Sequence, residues 1–206
     1  MSQVGNVFVI DDDEAVLRSV NAVLTQFGYE PQCFGSANQF LQQTSLDEPG
    51  CVVTDLQMPG IDGLQLQERL AAAHSMLSII FLTGVADVPT AVKVMRQGAA
   101  TLLEKPFNNS DLLNSVQNGI NSSSERWKAR RLEQTVRANL ATLTEDEQAV
   151  MKMMLNGAPN KAIASTLDIG MRTVDRRRQA IFRKMDVVAT AELAMLVSTI
   201  CPEFLE

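Results

Sequence analysis

The sequence predicts an α/β domain built on a five-stranded parallel sheet, followed by a smaller all-α domain. Three observations carry this reading. Short apolar runs alternate with helix-patterned segments over the first 120 residues. Beyond that point the helical pattern continues without strands, and the charge balance changes sign.

Taken in order, Asn6–Ile10 is an apolar, β-branched run cut off by four acids, and reads as a buried strand ending at Asp11. From Glu14 to Phe27 the residues Val16, Leu17, Val20, Val23, Leu24 and Phe27 share one helical face, and Gly28 closes the helix. A strand near 32–34 and a helix near 36–42 follow. Cys51–Thr54 is a strand ending on Asp55, and the turn-rich loop Met58–Gly63 leads into a helix over Leu64–Ala73. Ser78–Leu82 is another buried strand, stopping at Thr83-Gly84. Pro89–Gln97 is helical, Thr101–Leu103 is a short strand, and Ser110–Ile120 is the final helix of this part. Strands joined by helices, without hairpin turns, imply a parallel sheet covered on both faces, in the flavodoxin-like doubly wound order.

The character changes after residue 120. Asn121–Ser124 reads as a polar break, and Glu125–Leu140 as a charged linker helix. Four short helices then follow, separated by turns at 156–159, 168–170 and 186–187. The expected organisation is a domain over 1–120, a helical linker over 121–141 and a helical domain over 142–206.

Bulk composition narrows the class. Hydrophobic residues make up 46%, enough for sizeable cores. No apolar run approaches the ~18 residues of a membrane span, and Met1–Asn6 lacks the features of a secretory signal. Cys33, Cys51 and Cys201 are scattered without metal-ligand spacing, which suits unpaired thiols in a cytoplasmic protein. The single His74 excludes a histidine-rich metal centre and reads as a surface or loop residue. Net charge is −6, but residues 1–120 hold 13 acids and 5 bases whereas residues 121–206 hold 11 acids and 13 bases. The two parts are expected to have different partners.

The polar residues at the strand ends carry the chemistry. The first strand delivers Asp11 and Asp12, the third Asp55, the fourth Thr83, and the fifth is followed at once by Lys105-Pro106. A parallel sheet brings all of these to one edge. Grouped carboxylates repel one another, and a hard, oxygen-seeking cation such as Mg²⁺ relieves the repulsion. A carboxylate nucleophile, a metal, a lysine and a hydroxyl are the parts required to form an acyl phosphate on aspartate.

The segments Val9–Asp13, Val53–Gly63, Leu82–Gly84 and Lys105–Phe107 resemble the receiver domains of response regulators, and Thr83–Pro89 resembles the FixJ branch in particular. The resemblance implies that Asp55 is the phosphoacceptor. It also implies that Asp11, Asp12, Asp55 and the backbone carbonyl of Gln57 hold Mg²⁺, that Thr83 and Lys105 contact the phosphoryl group, and that the Lys105–Pro106 bond is cis. Receivers usually carry Tyr or Phe three residues before the lysine; here Leu102 stands there, which bears on output rather than chemistry. Gln57 and Val85 are the positions expected to tune acyl-phosphate lifetime.

In the helical part, Thr144 reads as an N-cap with Glu147 at the capping-box position, ahead of an apolar face of Val150, Met153, Met154 and Leu155. Asn160–Ala164 opens a second helix, and Gly170–Met185 forms a third with Arg172, Arg176, Arg177 and Arg178 near its start. Residues 142–200 resemble the LuxR-type helix-turn-helix through Leu143-Thr144, Gln148–Met151, Asn160–Ala164, Thr173-Val174, Lys184-Met185 and Ala191–Leu193. The resemblance implies DNA contacts from Lys161, Thr173, Val174, Arg176 and Arg178, to which the arginine run adds Arg172 and Arg177. Gly170 and Arg177 depart from the usual Ser and His.

Together these features predict a two-component response regulator. The resemblance implies that a sensor histidine kinase phosphorylates Asp55, that the chain then forms a homodimer, and that it binds double-stranded DNA to control transcription. Two alternatives stand beside it: a receiver-like binding protein acting without phosphorylation, and a HAD-type phosphatase using Asp11 as nucleophile and Asp13 as acid/base. The latter lacks the second acidic pair such enzymes need, since only Asp111 lies near.

Overall fold

The computed structural model describes residues 5–84 and 88–204. Residues 1–128 and 129–206 form two compact units. The first contains β1 (Asn6–Ile10), α1 (Glu14–Gln26), β2 (Gln32–Phe34), α2 (Ala37–Gln43), β3 (Gly50–Asp55), α3 (Gly63–Ala72), β4 (Ser78–Thr83), α4 (Val88–Arg96) and β5 (Thr101–Glu104). Helix α5 (Asn109–Ala141) runs from this unit into the second, which holds α6 (Glu145–Leu155), α7 (Asn160–Thr166), α8 (Met171–Met185), α9 (Thr190–Ile200) and a 3₁₀ turn at Pro202–Phe204. No helix among the described residues is long and apolar enough to cross a membrane.

The five strands are all parallel, in the order β2-β1-β3-β4-β5. Alternate side chains leave opposite faces of a strand, and each face of this sheet is apolar. Val7, Val9, Cys51, Val53, Ile80 and Leu82 pack with Val20 and Leu24 of α1 and Leu112, Val116 and Ile120 of α5. Phe8, Ile10, Val52, Ile79 and Phe81 pack on the other face with Phe40, Leu66, Leu70 and Val94 from α2, α3 and α4. This two-sided burial explains the nearly continuous apolar runs seen in the sequence.

Two local expectations are corrected. The periodicity groups Phe27 with the apolar face of α1, but it is the C-cap residue and 60% exposed, because the chain reverses at Gly28 with φ +86°. The polar break at Asn121–Ser124 is helical, inside the 33-residue α5. Serine and asparagine disfavour helix interiors because their side chains compete for nearby backbone groups. Here Ser123 is fully buried and uses its hydroxyl elsewhere, accepting from the Gly50 N–H at 2.9 Å and donating to the Met76 carbonyl at 2.6 Å. Arg126 donates to the same carbonyl and to the Ser78 hydroxyl, and the Trp127 indole donates to the Asp47 carbonyl. Tertiary partners hold this part of α5 where local propensity does not.

In the second unit, the capping box at Thr144 and Glu147 starts α6 as expected. Val150, Met151 and Met154 of α6 meet Ile163 of α7, Val174, Ile181 and Met185 of α8, and Leu193 and Val197 of α9 in one core.

Candidate functional site

Strand β1 ends at Ile10, so Asp11 emerges beside Asp55 at the end of the adjacent β3. Thr83 ends β4, and Lys105 follows β5, its backbone N–H donating to the Thr83 carbonyl at 2.7 Å. All of these lie at the carboxyl edge of the sheet, where ligands bind in open α/β folds. Asp11 is 2% exposed and Thr83 3%, whereas Asp12 is exposed and Asp55 half-buried. Carboxylate oxygens of Asp11, Asp12 and Asp55 lie within 4.8 Å of one another. The Lys105 ammonium donates to Asp11 Oδ2 at 3.0 Å and to Asp55 Oδ1 at 3.3 Å. The Lys105–Pro106 bond is cis.

The electrostatics follow from crowding. Burial raises the Asp55 carboxyl above its ordinary pKa; the Lys105 charge pulls it back only in part, and Asp11 adds repulsion. Burial also disfavours the Lys105 ammonium, but Asp11 and then Asp55 outweigh that and hold its pKa above the ordinary lysine value. One lysine between two carboxylates therefore leaves the cluster negative and short of a cation. Three hard oxygen donors of this kind suit Mg²⁺.

The loop after Asp55 is built by close approach. A side chain at Gly63 would place its Cβ 2.5 Å from the Asp55 carbonyl oxygen and 2.8 Å from the Phe81 ring. Only glycine lets α3 start here, with its N–H donating to the Leu56 carbonyl at 3.0 Å and Asp62 capping the helix through a capping box. Gln57 is exposed in this loop. Val85, with Ala86 and Asp87 of the FixJ-like run, lies outside the described residues. Leu102 is partly buried against the Phe8–Phe81 core.

Asp13 is otherwise engaged. Its carboxylate accepts the Ala15 N–H at 2.7 Å as the N-cap of α1, while its own N–H donates to Asp11 Oδ1. Asp111 of α5 accepts from the side chain of Asn108, the residue just before the helix. Of the acids that a phosphatase reading invokes, Asp13 is thus a helix cap and Asp111 a surface partner.

The second site is the pair α7–α8, joined through Leu167–Gly170. Gly170 is the N-cap of α8 without a side-chain cap bond. The exposed face of α8 carries Arg172, Asp175, Arg176, Gln179 and Arg183. Val174 is corrected: it is 0% exposed and packs with Ile181 and Met185 in the core, so it offers DNA no surface. Thr173 is half-buried and Lys161 of α7 exposed.

The remaining cations of α8, Arg177, Arg178 and Lys184, are engaged within the helical unit. Arg177 pairs with Asp146 of α6. Arg178 donates to the Thr190 hydroxyl at 3.3 Å, with its guanidinium 5.7 Å from the Phe182 ring centroid. Lys184 bonds Glu147 at 2.6 Å and the Thr142 carbonyl at 2.9 Å. These three brace the module. Although burial opposes it, Lys184 with the Thr144 cap holds the Glu147 carboxyl below its ordinary pKa. Sequence reasoning missed Asp175, Gln179 and Arg183; counting the helical period outward from buried Val174 and Ile181 finds all three.

An acidic, lysine-bearing edge on a 2-1-3-4-5 sheet, in one chain with a helix-turn-helix, defines a transcription regulator with an input domain. The response regulator receiver domain model matches residues 7–117, and the bacterial regulatory protein luxR family model matches residues 141–197. The transcriptional regulatory protein FixJ of Bradyrhizobium diazoefficiens is 36% identical over 95% of this chain and 96% of its own. Nodulation protein W of the same organism is 36% identical over 94% and 86%, and the response regulator protein TodT of Pseudomonas putida is 34% identical over 91% and 82%. Among solved structures, response regulator StyR matches with TM-score 0.87 and 36% identity over 94% of this chain and 98% of that one. Full-length FixJ from B. japonicum matches with TM-score 0.57 and 36% identity, over 94% and 95%. The chain belongs to the two-component response regulators of the FixJ type, which join a receiver domain to a LuxR-type helix-turn-helix and control transcription.

Proposed function

We propose that Asp55 accepts a phosphoryl group from the phosphohistidine of a sensor kinase, and that this controls dimerisation and binding to double-stranded DNA. The observation that carries the proposal is the grouping of Asp55 with Asp11 and Asp12 around a Lys105 ammonium that bonds both Asp11 and Asp55. An Asp55 oxygen attacks phosphorus, the O–P bond forms, the P–N bond of the donor breaks, and the imidazole leaves. Lys105 exchanges part of its bonding to Asp11 and Asp55 for a phosphoryl oxygen, and the Thr83 hydroxyl donates to another. Asp11, Asp12, Asp55 and the Gln57 carbonyl hold Mg²⁺, which offsets the charge of the phosphoryl oxygens.

Residues 1–120 act as the receiver, 121–141 as the linker helix and 142–206 as the DNA-binding domain. Helix α4 carries Val92 and Met95 as exposed apolar side chains, a surface suited to a second copy when α4 and β5 shift. On DNA, Arg172, Arg176, Lys161 and the Thr173 hydroxyl make contacts, while Arg177 and Arg178 brace the recognition helix. The three free cysteines accord with a cytoplasmic setting.

The test is the intact mass of the full chain after incubation with Mg²⁺ and acetyl phosphate. One phosphoryl group adds to the wild type and none to Asp55→Asn. Equal addition to both would remove Asp55 from the role.

A further inference from the structure

The exposed face of α8 contains one acid among cations. The side chains of Arg172, Arg176, Gln179 and Arg183 make no intramolecular hydrogen bond or ion pair among the described residues, while Asp175 accepts from the Asn160 side-chain amide of α7 at 2.9 Å. With Thr173, four residues of this face (Arg172, Asp175, Arg176 and Gln179) line one shallow hollow. A carboxylate facing DNA is repelled by every phosphate it passes, so it weakens nonspecific binding. Its neighbours Arg172 and Arg176 do not neutralise it; its partner is a neutral amide, which leaves its charge and accepting capacity intact.

From this we infer that Asp175 is a base-reading residue, positioned by Asn160, that accepts a hydrogen bond from the exocyclic amine of cytosine in the major groove. The inference rests on the reading of α8 as the DNA-facing helix. Two bases present an amine in that groove. Adenine sets its N7 acceptor beside the amine, and N7 repels a second carboxylate oxygen. Cytosine sets a C–H there, so the carboxylate fits cytosine. Guanine O6 and N7 and thymine O4 present acceptors only, and a carboxylate held against them in the groove would reject them. The Asn160 bond crosses from α7 to α8, so the carboxylate is already oriented when DNA arrives and little freedom is lost on binding.

The test uses the full chain, treated with acetyl phosphate and Mg²⁺, and a duplex library with a randomised central segment, the retained fraction being sequenced. The wild type is expected to enrich cytosine at one position per half-site by about fivefold or more over each other base, from the ~1–3 kcal/mol that one mismatched pair costs. In Asp175→Ala that single position becomes indifferent while the others keep their preferences, and retention of unrelated duplex stays equal or rises. Asn160→Ala weakens the same preference with Asp175 in place, which a purely structural Asn160 would not do. An unchanged profile in Asp175→Ala overturns the inference while leaving DNA binding standing. A wild type that retains no duplex overturns both. Equal melting temperatures of the variants show that folding is not the cause.

Discussion

Ser123 accepts the backbone N–H of Gly50 through its hydroxyl at 2.9 Å, across 73 residues of sequence. The donor lies at the start of β3, where both residues are buried. Ser123→Ala leaves that N–H without a partner, whereas the Met76 carbonyl retains Arg126. Loss of about 1–3 kcal/mol of stability is expected in urea unfolding, the usual penalty for one orphaned buried donor. An unchanged midpoint would show that water replaces the hydroxyl.

Gly63 is tied to Asp55 by contact rather than by chemistry. Gly63→Ala drives a Cβ to 2.5 Å from the Asp55 carbonyl oxygen, and backbone must move. A stability loss of about 1–3 kcal/mol is expected, together with slower gain of phosphoryl mass from acetyl phosphate. Wild-type kinetics in this variant would mean that the β3–α3 loop does not set the position of Asp55.

Arg176 and Arg177 are adjacent in sequence, but Arg177 pairs with Asp146 whereas Arg176 lies on the exposed face of α8. Arg176→Gln should weaken DNA binding and lower the magnitude of the log-affinity against log-salt slope by about 1, the signature of one lost phosphate contact. Arg177→Gln should leave that slope nearly unchanged. Because the Asp146 side chain is 68% exposed, losing this pair costs at most about 1 kcal/mol of stability. Identical slopes for the two variants would contradict the division.

The thiols are sorted by burial. Cys33 is exposed, while Cys51 and Cys201 are buried and Cys51 is pushed up to about 12 by desolvation. Iodoacetamide at neutral pH should add one group to the native chain, at Cys33, and all three cysteines should react after denaturation. Rapid modification of Cys51 in the native protein would contradict the packing of β3 against α5.

Glu147 contributes to the response of the helical unit to acid. Its folded-state pKa lies below the unfolded value of 4.5, so its contribution is complete well above that value. The contribution falls as pH drops below 4.5 and is gone below the depressed folded value. Lys184→Met, which removes the ion pair, should flatten this part of the stability–pH curve. Equal slopes for wild type and variant would place the acid sensitivity elsewhere.

The receiver pocket was legible because the central strands β1, β3 and β4 are buried on both faces and give way abruptly to polar residues. Asp11, Asp55, Thr83 and Lys105 therefore announce both the strand ends and the site. What the sequence hid depends on contacts between distant segments. Ser123 looks like a helix breaker until Gly50 and Met76 lie beside it. Val174 looks like a DNA contact until Ile181 and Met185 turn the same face inward. Arg177 and Arg176 have one side chain type, and only the presence of Asp146 separates them.

The central claim is that a phosphoryl group on Asp55 controls assembly on DNA, and sedimentation velocity of the full chain with a library-selected fluorescent duplex tests it most directly. With Mg²⁺ and acetyl phosphate the wild type should sediment as a dimer bound to the duplex at moderate salt, and Asp55→Asn should remain a free monomer. A phosphorylated wild type that stays monomeric and leaves the duplex unbound would contradict the account.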